Sequence, residues 1–313
     1  MRIPIFLFNG LLESGKTAFI NEMLEKPVFA DGNKTVVISG EEGIEEYELE
    51  DLEKRNISVV MVEEEDEFNE ALMDKIYKEY KPQRVLIEYN GMWEVAKPFE
   101  MKWPQGWFLY QVMTLLNAET YNLYINNMRS IMLSHFSCSD LVIINRMTEE
   151  TNISGIRGTV KSINPTAKLF AADEAFRLQP IKDELPYDIN ADIIDISKEH
   201  YGIWYIDTWE KPELYNGKKV RVRGLFFQDP QDPKDCFSFG RFSMPCCADD
   251  IALMGLYCHN IGEPRYHNRD SIEIVAEIHY QKEEVYEGDK GPVLYVKSIE
   301  KASENQEELV VFS

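Results

Sequence analysis

Residues 3–17 read IPIFLFNGLLESGKT, an apolar run followed at once by a loop bounded by glycines. The loop, residues 10–17, has the spacing G-x-x-x-x-G-K-[ST], whose backbone N–H groups cradle phosphates in nucleotide-binding proteins. The next stretch, TAFINEML, places three apolar side chains on one helical face, at Phe19, Ile20 and Met23. The sequence therefore predicts a strand, a phosphate loop and a helix, in that order.

The loop also assigns chemistry to individual residues. Lys16 is expected to reach the β- and γ-phosphates, and Thr17 to offer its hydroxyl to Mg²⁺. Glu13 is unusual in a loop that holds polyanions, and we expect its side chain to project into solvent while the backbone binds phosphate. The predicted nucleotide-binding residues of the loop are Gly10, Glu13, Ser14, Gly15, Lys16, Thr17 and Ala18.

Six further apolar runs and two long helical patterns follow the loop. The helical patterns cover 67–80 and 118–136. The apolar runs are nearly continuous in Val, Ile, Leu and Phe, as strands covered on both faces of a parallel sheet are. They lie at 35–39, 57–62, 84–88, 106–116, 141–145 and 167–172. We predict an α/β P-loop NTPase domain with a mainly parallel sheet over residues 1–178.

The pattern changes after residue 178. Two prolines and several acids without periodicity indicate a linker over 179–190. Beyond it, the runs IWYIDTW, KKVRVRGLFF, SIEIVAEIHY and PVLYVKSIE indicate strands, with turn residues between several of them. We predict a small, mostly antiparallel β-domain over 191–313; an OB-like barrel suits its length, and a sandwich remains an alternative.

Composition limits the possible partners. The chain has 313 residues and a formal net charge of −22, which disfavours nucleic-acid binding because phosphate backbones attract basic surfaces. No apolar run approaches the roughly 18–20 residues of a membrane helix, and the N-terminus lacks the pattern of a signal peptide. We expect a cytoplasmic protein with no membrane insertion.

Several segments, in order, resemble those of the CobW/HypB/UreG family of P-loop GTPases. The loop is similar to G-F-L-G-[AS]-G-K-T-T, and VVISGEEG to a switch segment that carries over Glu41 and Gly43. VLIEYNG resembles I-E-x-x-G and carries over Glu88 and Gly91. DLVIINRMT resembles the base-recognition strand and carries over Asn145, and INPTAKLF resembles the N-P-x-A stretch after it.

The resemblance implies a Mg²⁺-dependent GTPase. Its implied catalytic residues are Lys16, Glu41 and Glu88, and its implied Mg²⁺ ligands are Thr17, Glu41 and Glu88. Glu41 could equally be a surface acid. For Glu88 the alternative is a solvent-exposed carboxylate at a strand end. Asn145 and the stem of Arg146 are expected to contact the base.

The sequence departs from the family in two places. Thr148 occupies the position of the aspartate that selects guanine in N-K-x-D, and a hydroxyl cannot accept two hydrogen bonds as a carboxylate does. GTP is therefore favoured by the resemblance while ATP stays possible, and the neighbouring Glu149 is a substitute acceptor. The family's C-x-C-C metal motif is also absent, because residues 44–83 contain no cysteine.

Four of the five cysteines are concentrated near the C-terminus, in CFSFGRFSMPCCADDIALMGLYCHN. A Zn²⁺-type site is one interpretation, and buried structural cysteines are the other. The candidate ligands are Cys246, Cys247, Cys258 and His259. This region also resembles the C-terminal domain of YcgQ-like proteins, which are encoded beside predicted permeases. The histidines at 135, 200, 267 and 279 show no recognisable catalytic spacing.

The leading hypothesis is a nucleotide-hydrolysing switch, slow in isolation, that takes part in metal homeostasis or delivery. Its implied partners are a nucleotide and either a client metalloprotein or a permease-linked protein. A catalytically weak nucleotide-binding scaffold that acts through its β-domain is the alternative. A small-molecule kinase is a third possibility, for which we find no acceptor-site motif.

Overall fold

The computed structural model describes residues 2–41, 47–181, 185–243, 251–259, 266–302 and 309–310. Its contacts divide the chain into two units. The first comprises 1–151 and 166–182, and the second 152–165 and 183–313. The sequence-based domain boundaries at 178 and 190 stay a prediction.

The first unit is built on an eight-stranded sheet with the order β3-β2-β4-β1-β5-β6-β7-β8. Its strands are β1 (Ile3–Asn9), β2 (Thr35–Ser39), β3 (Ile57–Met61), β4 (Arg84–Glu88), β5 (Trp107–Asn117), β6 (Leu141–Asn145), β7 (Lys168–Ala172) and β8 (Leu178–Pro180). Its helices are α1 (Lys16–Glu25), α2 (Leu49–Lys54), α3 (Glu70–Tyr80), α4 (Lys97–Glu100), α5 (Tyr121–Asn127) and α6 (Arg129–Ser137). Among the described strands of this sheet only the β7–β8 pairing is antiparallel, so the predicted mainly parallel sheet is confirmed.

Strand β1 shows why this sheet is apolar on both faces. Ile5 and Leu7 enter one buried cluster, whereas Phe8 enters another on the opposite face. Successive side chains of a strand point to opposite faces, so a central strand covered on both sides must be apolar throughout. The carboxyl end of β1 then lies between β4 and β5, where the loop at residues 10–17 begins.

The helical pattern predicted over 118–136 is two helices instead of one. Met128 separates α5 from α6 with φ −134° and ψ 38°, which lies outside the helical region. Apolar spacing alone continues across this break, because residues on both sides of it supply buried side chains, among them Ile125 and Met132. None of the helices in the described parts of the chain has the length and apolar content needed to cross a bilayer.

The second unit is mostly antiparallel, as predicted. Its strands are β9 (Ile194–Ile196), β10 (Lys219–Phe227), β11 (Phe237–Ser243), β12 (Ala252–His259), β13 (Ser271–Lys282) and β14 (Lys290–Lys301). Its helices are α7 (Ile153–Ile163), α8 (Tyr201–Glu210) and α9 (Pro212–Tyr215). Strand β10 pairs with both β13 and β11, and the pairings β11–β12, β12–β14 and β14–β13 complete a ring of five strands. An OB-like barrel needs such a ring, and that assignment stays a prediction.

One predicted strand of this unit is wrong. IWYIDTW lies inside helix α8, which packs on α7. Tyr201 and Trp204 are fully buried, and Tyr205 packs against the same core. This spacing of three and four residues is helical, and it explains why a run rich in β-forming aromatic residues does not form a strand. In the described residues, the buried side chains of β10 to β14 complete that core.

Candidate functional site

The loop between β1 and α1 turns through three left-handed residues. Gly10 has φ 129° and Gly15 has φ 88°, conformations in which glycine avoids the steric cost of a side chain. Glu13 has φ 59°, and its side chain is exposed to solvent. The family pattern quoted above has glycine at this position. Glu13 therefore keeps a glycine-type backbone at a steric cost, while its carboxylate points away from the inside of the loop.

A second glycine holds the loop from behind. A Cβ added to Gly91 would lie 2.3 Å from the Gly10 carbonyl oxygen and 2.8 Å from the Leu11 Cα. The segment after β4 therefore touches the phosphate loop backbone to backbone. A side chain at position 91 would therefore push the loop away from this segment.

Lys16 lies inside the loop and is buried. Its Nζ donates to the carbonyls of Gly10 at 2.7 Å and Leu11 at 3.0 Å, and it forms an ion pair of 2.9 Å with Glu41 Oε2. Burial lowers the pKa of Lys16, and the Glu41 carboxylate opposes that shift. The ammonium group is therefore held at the centre of the loop, where it can bind phosphate oxygens.

Glu88, at the end of β4, is the centre of a group of hydroxyls. Its Oε1 accepts from the Thr17 hydroxyl at 2.5 Å, and its Oε2 accepts from Ser39 and Tyr47 at 2.7 Å each. Burial and this carboxylate raise the pKa of Tyr47 well above its usual value. Glu88 is only 1% exposed, so it is not a solvent-exposed strand-end carboxylate. Ser39 and Tyr47 were not predicted from the sequence.

Glu41 connects the loop to Gly91. Its Oε2 pairs with Lys16, and its Oε1 accepts from the Gly91 N–H at 3.1 Å. The side chain of Glu41 is 8% exposed, which argues against a surface role. The other predicted residue of this segment, Gly43, lies outside the described residues.

His135 contacts the carbonyl group of Gly91, and this contact was not predicted from the sequence. Its Nε2 lies 3.0 Å from the Gly91 carbonyl oxygen, which can only accept, so Nε2 carries the hydrogen. Burial lowers the pKa of His135 to about 4. No local spacing could have revealed the contact, because 44 residues separate the two partners.

A cleft of about 670 Å³ lies beside the loop, at the carboxyl ends of β6 and β7. Ligands of parallel α/β sheets bind at this edge, and the cleft adjoins the start of α1. Its lining includes Ala18, Asn145, Arg146, Thr148, Asp173 and Phe176. The position and size of the cleft suit a nucleoside.

The two polar groups of Asn145 differ in their use. Its Nδ2 donates to the Ser14 carbonyl at 2.8 Å, which ties β6 to the phosphate loop. Its Oδ1 is buried and has no hydrogen-bond partner among the described residues. An unpaired buried acceptor costs free energy unless a donor reaches it, so this oxygen is available to a ligand N–H. The Arg146 guanidinium, 3.4 Å from the Glu13 carbonyl oxygen, also borders the loop.

Thr148 is engaged within its own turn. Its hydroxyl accepts from the Glu150 N–H at 3.3 Å, and its N–H donates to the Thr151 hydroxyl at 2.9 Å. Glu149, the predicted substitute acceptor, does not line the cleft, whereas Asp173 does. The Asp173 carboxylate in turn accepts from the backbone and side chain of Arg177.

The candidate zinc ligands are only partly described. Cys246 and Cys247 lie outside the described residues. Cys258 and His259 are adjacent on β12 and therefore point to opposite faces. Cys258 is fully buried in the core of the second unit, while His259 lies beside Cys236. The structure does not bring the Cys258 and His259 side chains together.

Comparison with known proteins matches two parts of the chain to family models. Residues 4–171 match the model of the CobW/HypB/UreG nucleotide-binding domain, and residues 174–312 match that of the DUF1980 C-terminal domain. No curated protein matches the chain.

Three solved structures to which this chain is similar are two HypB proteins and YjiA GTPase. HypB, a hydrogenase maturation factor from Archaeoglobus fulgidus, is 17% identical, with 55% of this chain and 81% of that chain covered and a TM-score of 0.41. Zn(II)-bound YjiA GTPase from E. coli is 15% identical, with 88% and 94% covered and a TM-score of 0.42. HypB from Helicobacter pylori, in complex with nickel, is 18% identical, with 55% and 79% covered and a TM-score of 0.37.

The family match extends from β1 to the end of the parallel sheet, just before Ala172. It covers more than half of the chain and contains the loop, Glu88 and Asn145. The chain belongs to the CobW/HypB/UreG family of nucleotide-binding proteins.

Proposed function

We propose that this protein is a Mg²⁺-dependent nucleoside triphosphate hydrolase that works as a slow switch. The observation that carries the proposal is the Thr17 hydroxyl on the buried Glu88 carboxylate, directly below a phosphate loop that contains Lys16. Lys16 would bind the β- and γ-phosphates, and the loop amides would hold the remaining oxygens. Catalysis would rest on positioning and charge neutralisation, with no covalent intermediate.

The residues around Glu88 fit a Mg²⁺ ion. They offer hydroxyl and carboxylate oxygens, which suit Mg²⁺. Thr17 would bind the ion directly, and Glu88 would hold it through water. When bound, Mg²⁺ neutralises charge on the phosphate oxygens. Glu41 binds both Lys16 and the Gly91 N–H. We propose that it orders the attacking water or the ion when Lys16 binds phosphate instead.

We infer that GTP is favoured and that ATP is also accepted. Family membership supports GTP, and Asn145 Oδ1 is an acceptor available to a base. Selectivity should be modest, because Thr148 provides no carboxylate and its hydroxyl is engaged in its own turn. A site without a carboxylate acceptor for the N–H groups of guanine discriminates weakly between guanine and adenine.

Lys16→Ala tests the proposal. A hydrogen bond to a charged group contributes about 1.5–3 kcal/mol, so Mg–GTP and Mg–ATP should bind about 10- to 150-fold more weakly by calorimetry. Lys26→Ala is the matched control, because Lys26 pairs with Glu22 on the surface just after α1. Unchanged affinity in Lys16→Ala would refute nucleotide binding by this loop.

A nucleotide-binding scaffold without turnover is the second candidate. Two features favour the scaffold: the strained backbone of Glu13, and Thr148 in the place of the family's aspartate. Phosphate release measured with each of the four ribonucleoside triphosphates separates the two, because sustained turnover that Lys16→Ala abolishes excludes a scaffold. We further propose, from family membership, that the switch serves a metal-dependent client or a permease-linked partner inside the cell.

A further inference from the structure

A thiol, an imidazole and a carboxylate lie in line on the second unit. Cys236 Sγ is 3.3 Å from His259 Nδ1, and His259 Nε2 is 2.9 Å from Glu283 Oε1. Two strands and a turn bring them together. The register Phe237↔Cys258 sets position 236 opposite 259, and Glu283 follows directly after β13.

The hydrogen bonds define the state of the imidazole. The Glu283 carboxylate accepts, and it also accepts from Gln281 Nε2 at 2.7 Å, so His259 Nε2 carries the hydrogen. Nδ1 faces the Cys236 sulfur, and in the neutral imidazole Nδ1 carries the lone pair. The Tyr295 ring stacks on the imidazole, with centroids 5.2 Å apart and planes 13° apart. The ring is held in this orientation by contacts on its face and on its Nε2 edge.

The surroundings of His259 are those of a metal ligand. Metal-binding histidines commonly donate their other N–H to a carboxylate, as His259 does to Glu283.

The separation of the Cys236 sulfur and the His259 nitrogen fits two ligands of one tetrahedral ion. Zinc holds sulfur at about 2.3 Å and nitrogen at about 2.0–2.1 Å, which separates two such ligands by about 3.5 Å. The observed separation of Cys236 Sγ and His259 Nδ1 is 3.3 Å. Asp235 Oδ1 lies 3.8 Å from the sulfur, and this residue is exposed and so can turn toward the ion. In the part of the chain that the structure describes, no three such side chains already converge on one point.

We propose that Cys236 Sγ and His259 Nδ1 bind a Zn²⁺-type divalent cation, with Asp235 turning in as the third ligand. Binding releases the thiol proton, and Glu283 orients His259 as a positioning residue. The fourth position remains for water or an incoming ligand, so the site is open to exchange. Cys258, whose thiol lies in the core, takes no part. This proposal does not depend on the nucleotide site.

Titration of the full chain with Co²⁺ alone, without nucleotide, tests the site. Thiolate ligation gives a charge-transfer band in the near ultraviolet, which we expect at one equivalent. Cys236→Ser should abolish the band, and His259→Gln should weaken binding at a partly exposed position where folding is less at risk. Glu283→Gln should lower the Zn²⁺ affinity about 10- to 100-fold in competition with a chromophoric chelator.

Two control variants sharpen the outcome. The double variant Cys246→Ser/Cys247→Ser should keep the band, and so should Lys16→Ala, which affects only the nucleotide site. The proposal is overturned if the unaltered chain shows no band or if Cys236→Ser keeps it. Loss of the band in the Cys246/Cys247 variant with retention in Cys236→Ser would also overturn it. None of these results bears on nucleotide binding.

Discussion

Gly91→Ala should disable the nucleotide site without unfolding the chain. The added Cβ would meet the Gly10 carbonyl oxygen at 2.3 Å, and real Cβ contacts begin near 3.0 Å, so loop and segment must separate by at least about 0.7 Å. Both contacting partners are backbone and cannot swing aside. A misplacement of about 1 Å in a preorganised site costs on the order of 100-fold. We therefore expect turnover per bound Mg–GTP to fall about 30- to 100-fold.

The assay is phosphate release over a range of Mg–GTP concentrations, together with a thermal melt. Gly32→Ala is the matched control, because Gly32 has φ 76° and open space around it. That control should be about 1 kcal/mol less stable, because alanine is strained in a left-handed backbone. Its catalytic activity should be unchanged. Wild-type turnover in Gly91→Ala would refute the argument that this backbone contact sets the position of the phosphate loop.

Two further predictions concern single side chains in the first unit. Glu13→Gly should stabilise the chain by about 1 kcal/mol, seen as a rise of about 2–4 °C in Tm, whereas Glu13→Ala removes the charge but keeps the strained φ and should gain less. Equal melting temperatures for the two variants would contradict the backbone explanation. His135, with a folded pKa of about 4 against about 6.5 unfolded, contributes stability that is present above pH 6.5 and lost as the pH falls toward 4. Between pH 7 and pH 5 the protonation of His135 should lower the free energy of unfolding, measured with urea, by about 2 kcal/mol. In His135→Gln this part of the pH dependence should be missing.

Much of the first unit could be predicted from the sequence because its signals are local. The strands at 35–39, 84–88 and 141–145 appear at the predicted bounds, since buried parallel strands are short apolar runs between polar segments. The helix break at Met128 could not be predicted, because the apolar spacing continues through it. The strand predicted for IWYIDTW was wrong. Its aromatic content suggested a strand, but its buried side chains recur with a helical period.

The residues of the site could be predicted from the sequence only in part. The phosphate-loop motif names Lys16 and Thr17 by spacing, but what they contact depends on strand order. Glu88 meets Ser39 because β4 pairs with β2, and His135 meets Gly91 across 44 residues. Cys236 and His259 come together only through the β11–β12 register. Pairings of this kind are a property of topology, and no motif in a single sequence encodes them.

The carboxylate of Glu88 has a thermodynamic consequence. It holds a hydroxyl at each end of one short stretch of chain, Ser39 before it and Tyr47 after it, as well as Thr17 of the phosphate loop. An ion that binds Thr17 therefore competes with the same carboxylate that accepts from Ser39 and Tyr47. By linkage, a protein whose affinity depends on whether the Tyr47–Glu88 hydrogen bond is formed would change the affinity for nucleotide by the same factor by which the nucleotide changes the affinity for that protein. Such a partner would alter nucleotide release without touching the nucleotide.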